Sequence, residues 1–339
     1  MAIHVGVIGL GRMGQIHARN IAENVPDATL YAACSYVDEE LELAKREFGV
    51  KETYKNYEDM IANTNLDAVV IVSPSGLHTE HIRIAMQKGL HVFCEKPIGL
   101  DSEDIKKTIE VINSRPNQVF QLGFMRRYDE SYQYAKKLLD EGTIGELTLI
   151  RCYGIDPSSG LESFVNFAKN SRSGGLFADM SIHDIDLVRW FTGKEIKRVW
   201  AIGKNAAYPI LDKLGELETG AAMMQLEDKT MAILVAGRNA AHGYHVETEL
   251  IGTKGMLRVA QQPEKNLVTI FNNEGVVRPT SQNFPERFHD AFIREMKEFI
   301  SCIKEGRQPE VTAYDGLLGT IVADACQKSV ETNSIVVID

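Results

Sequence analysis

A short apolar, β-branched run, Ile3 to Ile8, leads straight into Gly9-Leu10-Gly11-Arg12-Met13-Gly14, and Gln15 to Ile21 then continues at helical period. A glycine turn alone says little. The same G-x-G-x-x-G with a strand before it and a helix after it is the opening of a dinucleotide-binding βαβ unit. Each glycine has its own physical reason. Gly9 permits the tight turn, Gly11 removes a side chain where a pyrophosphate must approach, and Gly14 lets the helix pack closely. The helix N-terminus then offers backbone N–H groups to the phosphates. This one feature predicts a doubly wound α/β domain with a parallel sheet.

The alternation that follows agrees. Thr29 to Cys34 reads as the second strand, Leu41 to Phe48 and Asn56 to Asn63 as helices, and Asp67 to Ser73 as a continuously apolar strand suited to a sheet covered on both faces. Thr79 to Lys88 is helical, His91 to Cys94 the next strand, Asp101 to Ser114 a helix with Asp101 as N-cap, and Val119 to Gly123 a further strand. In such sheets ligands sit beyond the carboxyl ends of the strands. The expected cofactor contacts are therefore Gly9, Gly11, Arg12, Met13 and Gly14 in the first turn, and Ser35 and Tyr36 after the second strand. Ser73, Pro74 and His78 follow the next buried strand, and Glu95 and Lys96 the one after it. The fingerprint places a ribose-binding acid about 20 residues past the glycines. Tyr36 stands there instead, and no Arg or Lys replaces it nearby. NAD is expected on that ground, while Arg12 keeps NADP open. Most lysines are solvated surface charges. Lys96 ends a buried strand and precedes Pro97, a bond open to the cis form, so it is read as functional.

A second segment carries ionisable groups in an apolar setting. Gly174-Gly175 precedes a run in which Ala178, Ile182, Ile185, Val188 and Phe191 recur at helical spacing, while Asp179, His183 and Asp186 fall at i, i+4 and i+7. Such a pattern fits either a capping acid with a satisfied core histidine, or an acid–base pair over a substrate.

Composition narrows the partners. A formal net charge of −10 without any Lys/Arg run argues against nucleic acid and anionic membrane. The five cysteines, Cys34, Cys94, Cys152, Cys302 and Cys326, are scattered, with no CxxC spacing, so neither a zinc site nor a disulfide framework is expected. The chain begins on a strand with no basic n-region and no long apolar run, which predicts a cytoplasmic protein without signal peptide or transmembrane helix.

Beyond residue 123 the period changes. Ser131 to Glu141 is helical. Leu147–Tyr153, Val199–Gly203, Thr219–Leu226, Thr230–Gly237, Val246–Gly252, Met256–Ala260 and Leu267–Phe271 read as strands, several joined by short turns such as Glu227-Asp228-Lys229. Tight turns imply antiparallel pairing and one broad sheet with a face to cover. Arg287–Glu305 and Tyr314–Glu331 read as helices, the charges of the first as a solvated face and the second as packing back near the first domain. The expected division is a dinucleotide-binding domain over 1–123 and a substrate and oligomerisation domain over 124–339. The fold class is α/β, a Rossmann domain followed by an α+β domain with an open, largely antiparallel sheet.

Taken in order, Gly9 to Gly14, Glu95-Lys96-Pro97, Gly123-Phe124-Met125-Arg126-Arg127-Tyr128-Asp129 and Asp179-x-x-x-His183 resemble the glucose–fructose oxidoreductase/inositol dehydrogenase/rhizopine catabolism (Gfo/Idh/MocA) family over nearly the whole chain. The Gly-Phe-Met-Arg-Arg-Tyr-Asp segment is similar to that of its bacterial inositol 2-dehydrogenases. The resemblance implies NAD(P)-dependent oxidation of a secondary alcohol on a cyclic polyol, such as myo- or scyllo-inositol, to the keto-inositol. It implies Lys96, Asp179 and His183 as the catalytic set and Arg126 as a polyol contact. Two positions depart from the family. Asp156-Pro157 stands where some members have Asn-Pro, and His242-Gly243-Tyr244 where they have Tyr-Gly-Tyr, so Asp156, His242 and Tyr244 bear on the choice of isomer. The resemblance also implies a homotetramer formed through the C-terminal sheet. Two other readings stand beside it: a related sugar or diol oxidoreductase, and a non-catalytic dinucleotide-binding regulator. The second has no need of Lys96, Asp179 and His183 together.

Overall fold

The computed structural model describes residues 2–339 apart from 63–64, 170–172, 262–263 and 274. The chain forms two compact units, residues 1–128 with 290–318, and residues 129–289 with 319–339.

The first unit carries six parallel strands: β1 (Ile3–Ile8), β2 (Ala28–Cys34), β3 (Glu52–Tyr54), β4 (Ala68–Ile71), β5 (His91–Glu95) and β6 (Phe120–Gly123). Their order is β3-β2-β1-β4-β5-β6, the doubly wound arrangement in which the winding reverses between β1 and β4. All four residues of β4 are buried, which is why that stretch reads as unbroken apolar sequence. The predicted helix from Asn56 is shorter, Tyr57–Ile61, with Asn56 as its N-cap accepting from the Asp59 N–H, and Asn63 lies outside the described residues.

A cut at 123/124 misses one part of this unit. Met296, Phe299, Ile300 and Cys302, from the helix Phe284–Glu305, share one core with Val5, Val7, Val70 and Phe93. The helix was read as bearing a solvated charged face, and that reading fails at Glu295, which is 0% exposed. Its apolar neighbours Phe292, Met296 and Phe299 mark that position as the buried stripe.

The second unit holds β7 (Leu147–Pro157), β8 (Ile196–Lys204), β9 (Thr219–Leu226), β10 (Met231–Ala240), β11 (His245–Gly252), β12 (Met256–Val259) and, near the chain end, β15 (Val336–Val337). They form one seven-stranded sheet in the order β12-β11-β7-β10-β9-β8-β15, antiparallel throughout except between β7 and β10. The expected strand Leu267–Phe271 does not join it. Only β13 (Ile270–Asn272) forms, and it pairs with β14 (Gly275–Val277) in a separate hairpin. Leu267 is 98% exposed and β13 and β14 are exposed throughout, so neither offers a face that a sheet could bury.

One face of the large sheet is covered by the helix Ile182–Thr192, whose Ile182, Ile185, Leu187 and Val188 are fully buried and which packs on β7. On the other face the register sets Trp200, Met223 and Ile233 side by side across β8, β9 and β10, with Trp200 and Met223 exposed. The same row continues into charge: Ile233 neighbours Arg151, Arg151 neighbours Glu249, and Glu249 neighbours Arg258. Among the described residues no helix is long and apolar enough to cross a membrane.

Candidate active site

The glycine turn has the geometry its sequence demands. Gly9 adopts φ +89°, and a Cβ there would lie 2.4 Å from the Val72 carbonyl oxygen. A Cβ on Gly14 would lie 1.9 Å from the carbonyl oxygen of Gly9, so the helix rests directly on the turn. A Cβ on Gly11 would meet nothing within 4 Å. The fold therefore requires glycine at 9 and 14, whereas at 11 the missing side chain leaves open space for something other than protein. The helix Arg12–Asn24 starts there with no side-chain cap and no acid in its first turn, leaving its N-terminal dipole to an external anion.

At the end of β2 a carboxylate from further along the chain meets Ser35. The Ser35 hydroxyl donates to the Glu40 carboxylate at 2.5 Å and accepts from the Val37 N–H. Tyr36 points outward, 78% exposed, and Asp38 is paired with Lys55 at 2.7 Å. A carboxylate in this place suits a ribose 2′-hydroxyl and repels a 2′-phosphate. These residues fit NAD.

After β4 two histidines of one helix stake the next turn. The Ser73 hydroxyl meets His81 Nδ1 at 2.9 Å, and burial, reinforced by His78, pushes the His81 imidazole down to about 4, so the ring is neutral. His78 is buried, with Nε2 2.7 Å from the Ser73 carbonyl and Nδ1 2.7 Å from the Pro97 carbonyl. Burial lowers its pKa against the pull of those two carbonyls, and its ring ties the Ser73-Pro74 turn to the Glu95-Lys96-Pro97 turn. The Lys96–Pro97 peptide is cis.

Glu95 is anchored inward. Its Oε1 lies 2.6 Å from His17 Nε2, and its Oε2 accepts the Lys96 backbone N–H at 3.2 Å. Glu295 completes a buried trio in which one ligand-type atom from each residue lies within 4.8 Å of the others. Both Glu295 carboxyl oxygens lack hydrogen-bond partners among the described residues, and burial, together with the Glu95 charge, holds the carboxyl well above the usual carboxylate range. Further on, the two adjacent arginines divide their work: Arg127 is paired with Asp315 at 2.9 Å, and Arg126 is buried, 3% exposed.

In the second unit, Gly174 and Gly175, at φ +86° and +90°, feed the chain into a π-helical turn, Phe177–Ser181, before the α-helix Ile182–Thr192 begins. The even α-helical spacing predicted for Asp179 and His183 is replaced by this wider turn, a distortion that recurs at functional sites. Asp179 sits within it, its N–H bonded to the Gly175 carbonyl at 3.0 Å, and His183 lies on the first turn of the α-helix, 8% exposed. Asp186 is buried at 1%. Arg238 Nη1, from β10, lies 2.8 Å from Asp179 Oδ2. Arg238 escaped the sequence reading, although it is the single charge in the strand Met231–Ala240.

The positions that differ from the family pattern are also placed. Asp156 is half-buried near the end of β7. The Tyr244 ring is buried edge-on against Phe284 and Phe288. His242 Nε2 meets His245 Nδ1 at 3.0 Å, and His245 Nε2 meets Glu247 Oε2 at 3.1 Å. A carboxylate accepts, so His245 donates to Glu247 from Nε2.

Residues 3–124 match the family described as "Oxidoreductase family, NAD-binding Rossmann fold", and residues 132–258 match the GFO/IDH/MocA C-terminal domain. The chain is 31% identical to the myo-inositol 2-dehydrogenase of Thermotoga maritima over 331 residues, covering 97% of this chain and 96% of that protein. The chain belongs to the GFO/IDH/MocA oxidoreductase family. Among solved members, scyllo-inositol dehydrogenase from Lactobacillus casei with bound NAD(H) and scyllo-inositol shares 62% identity at a TM-score of 0.97, covering 99% of both chains. Myo-inositol 2-dehydrogenase from Lactobacillus plantarum shares 48% identity at a TM-score of 0.98 over 100% of both.

For this family member the Glu295 carboxyl has a measurable consequence. The unfolded chain ionises Glu295 near the ordinary value of about 4.3, whereas the folded chain keeps the proton to a much higher pH. Between those two values folding takes up a proton, so the stability this group contributes is full below about 4.3 and falls as pH rises until the folded carboxyl ionises. The limiting slope is about 1.4 kcal/mol per pH unit. Glu295→Gln, neutral at every pH, is expected to gain in Tm relative to the parent as pH rises from 5 to 8, read by differential scanning calorimetry. Parallel Tm curves for the two proteins would show that Glu295 is ionised in the folded state.

Proposed function

We propose that this chain oxidises a secondary alcohol of an inositol to the corresponding keto-inositol with NAD+. The observation that carries the reading is the 62% identity to the Lactobacillus casei enzyme crystallised with NAD(H) and scyllo-inositol, which makes scyllo-inositol the preferred isomer in this proposal. NAD+, when bound, supplies the hydride acceptor. The chain supplies the rest. His183 takes the hydroxyl proton, an imidazole being suited to general-base work near neutrality. The Lys96 ammonium stabilises the alkoxide that develops as the proton leaves. Asp179 accepts hydrogen bonds from the substrate hydroxyls, and the buried Arg126 donates to the polyol. Asp156, Tyr244 and His242 bear on the isomer.

The exposed Trp200, Met223 and Ile202 on the outer sheet face support assembly into a homotetramer, since apolar surface in a row is covered in a working protein. Light scattering at micromolar concentration is expected to give four times the 37.8 kDa chain mass, and a monomer mass would refute the assembly.

The activity is tested by following reduced cofactor by absorbance, with a panel of inositols, aldoses and diols and with NAD+ or NADP+. The proposal expects turnover on scyllo- or myo-inositol with NAD+. It also expects His183→Ala to lose turnover by about 10²–10⁴-fold, the usual share of a general base, while NAD affinity is retained. Activity confined to an aldose or diol would reassign the substrate, and wild-type turnover in His183→Ala would remove His183 from the mechanism.

A further inference from the structure

Arg238 is a buried cation whose environment is unusually spare. It is 4% exposed, and its guanidinium carbon lies 3.6 Å from the centroid of the Phe164 ring. Its Nη1 contacts Asp179 Oδ2, while Nε and Nη2 have no hydrogen-bond partner among the described residues. Its backbone N–H is bonded to the Glu218 carbonyl at 2.9 Å. The Glu218 side chain in turn accepts the N–H groups of Ala206, Ala207 and Tyr208 and the amide of Asn239. The strand end carrying Arg238 is therefore pinned from both sides in sequence. Phe164 is held by its own cluster, packed on Leu161, Val165 and Leu211. The Asp179 side chain, by contrast, is 32% exposed and rides on a π turn entered through two left-handed glycines.

We infer that Arg238 is a positioning residue for Asp179. The ring face and the pinned strand fix the guanidinium, and the guanidinium fixes one carboxylate oxygen of Asp179. The other oxygen is then presented in a set direction as an acceptor for substrate hydroxyls. Without Arg238, the Asp179 carboxylate loses the ion pair that sets the direction of that oxygen. Misplacement of a binding group by about 1 Å can cost on the order of 10²-fold in rate. This inference rests on the proposed inositol oxidation only in assigning Asp179 to the substrate; the ion pair itself does not depend on it.

The test uses the full-length enzyme with the inositol that the wild type turns over. Arg238→Ala is expected to lower kcat/KM for the inositol by about 100-fold, with KM for NAD+ within twofold of wild type. Guanidinium chloride at millimolar concentration is expected to restore at least tenfold of that loss, where sodium chloride restores none. Arg238→Lys keeps the charge, loses the planar stack, and should recover part of the rate without additive. If Arg238→Ala does not fold, the comparison of Arg238→Lys with Arg238→Met decides, lysine being the more active of the two. Asp179→Asn should lower Tm in the wild type and lower it less in an Arg238→Met background, a coupling read without any substrate. An Arg238→Ala enzyme within threefold of wild type, or equal activity of the lysine and methionine variants, overturns the inference. A wild type inactive on every inositol but showing the Tm coupling overturns the substrate reading and leaves the ion pair standing.

Discussion

A Cβ on Gly14 would sit 1.9 Å from the carbonyl oxygen of Gly9. That approach fixes where the first helix starts, and with it where the backbone N–H groups at its end point. Gly9 and Gly14 serve the protein's own packing. Gly11 does not: its side-chain position is empty of protein. The distinction matters because a turn in which all three glycines were needed for packing would be a structural corner. A turn that leaves one position open, on a helix with no internal cap and no acid in its first turn, is a cradle for an external phosphate. The reading of the chain as a nicotinamide-dependent oxidoreductase begins from that cradle and extends to the ends of β2, β4 and β5.

A second theme is that Asp179, and the residues beside Lys96 and Arg126, are held by charged or polar partners from distant parts of the sequence. Lys96 follows Glu95, whose carboxylate is bonded to His17 and faces Glu295. Its turn is tied through Pro97 to His78. Asp179 is held by Arg238, and Arg127, beside Arg126, is held by Asp315. Buried charges and orphaned polar atoms cost stability unless something requires them. Within each unit, these partners hold the neighbouring groups in one geometry.

Much of this was legible in the sequence, for identifiable reasons. The first domain could be read because its strands are buried on both faces and its glycines have backbone duties, so both leave a local pattern. The strands β9, β10 and β11 came out within a few residues, since their inward and outward residues alternate. Three kinds of feature could not be read. The Glu40 carboxylate meets the end of β2 through Ser35, five residues away, whereas the fingerprint looks for an acid at the strand end itself. Glu295 looked solvated because helices commonly carry charges outward, and only the apolar neighbours Phe292, Met296 and Phe299 betray its burial. The π turn at Asp179 has no local signature, being set by the glycines before it and by a salt bridge to a residue 59 positions on. Leu267 failed in the opposite sense: an apolar run was taken for sheet, and the structure leaves it exposed.

The account turns on Gly11 being vacated for a phosphate and not for the fold, and one comparison measures that directly. In Gly11→Ala the added methyl meets nothing within 4 Å beyond its chain neighbours, so Tm by calorimetry should stay within about 1 °C of the parent, a shift under about 1 kcal/mol for a chain of this size. NAD affinity by isothermal titration should fall at least tenfold, because the methyl occupies the space the pyrophosphate needs. Unchanged affinity at unchanged Tm would contradict the account, since the turn would then be no phosphate site and the oxidoreductase chemistry built on it would lose its cofactor.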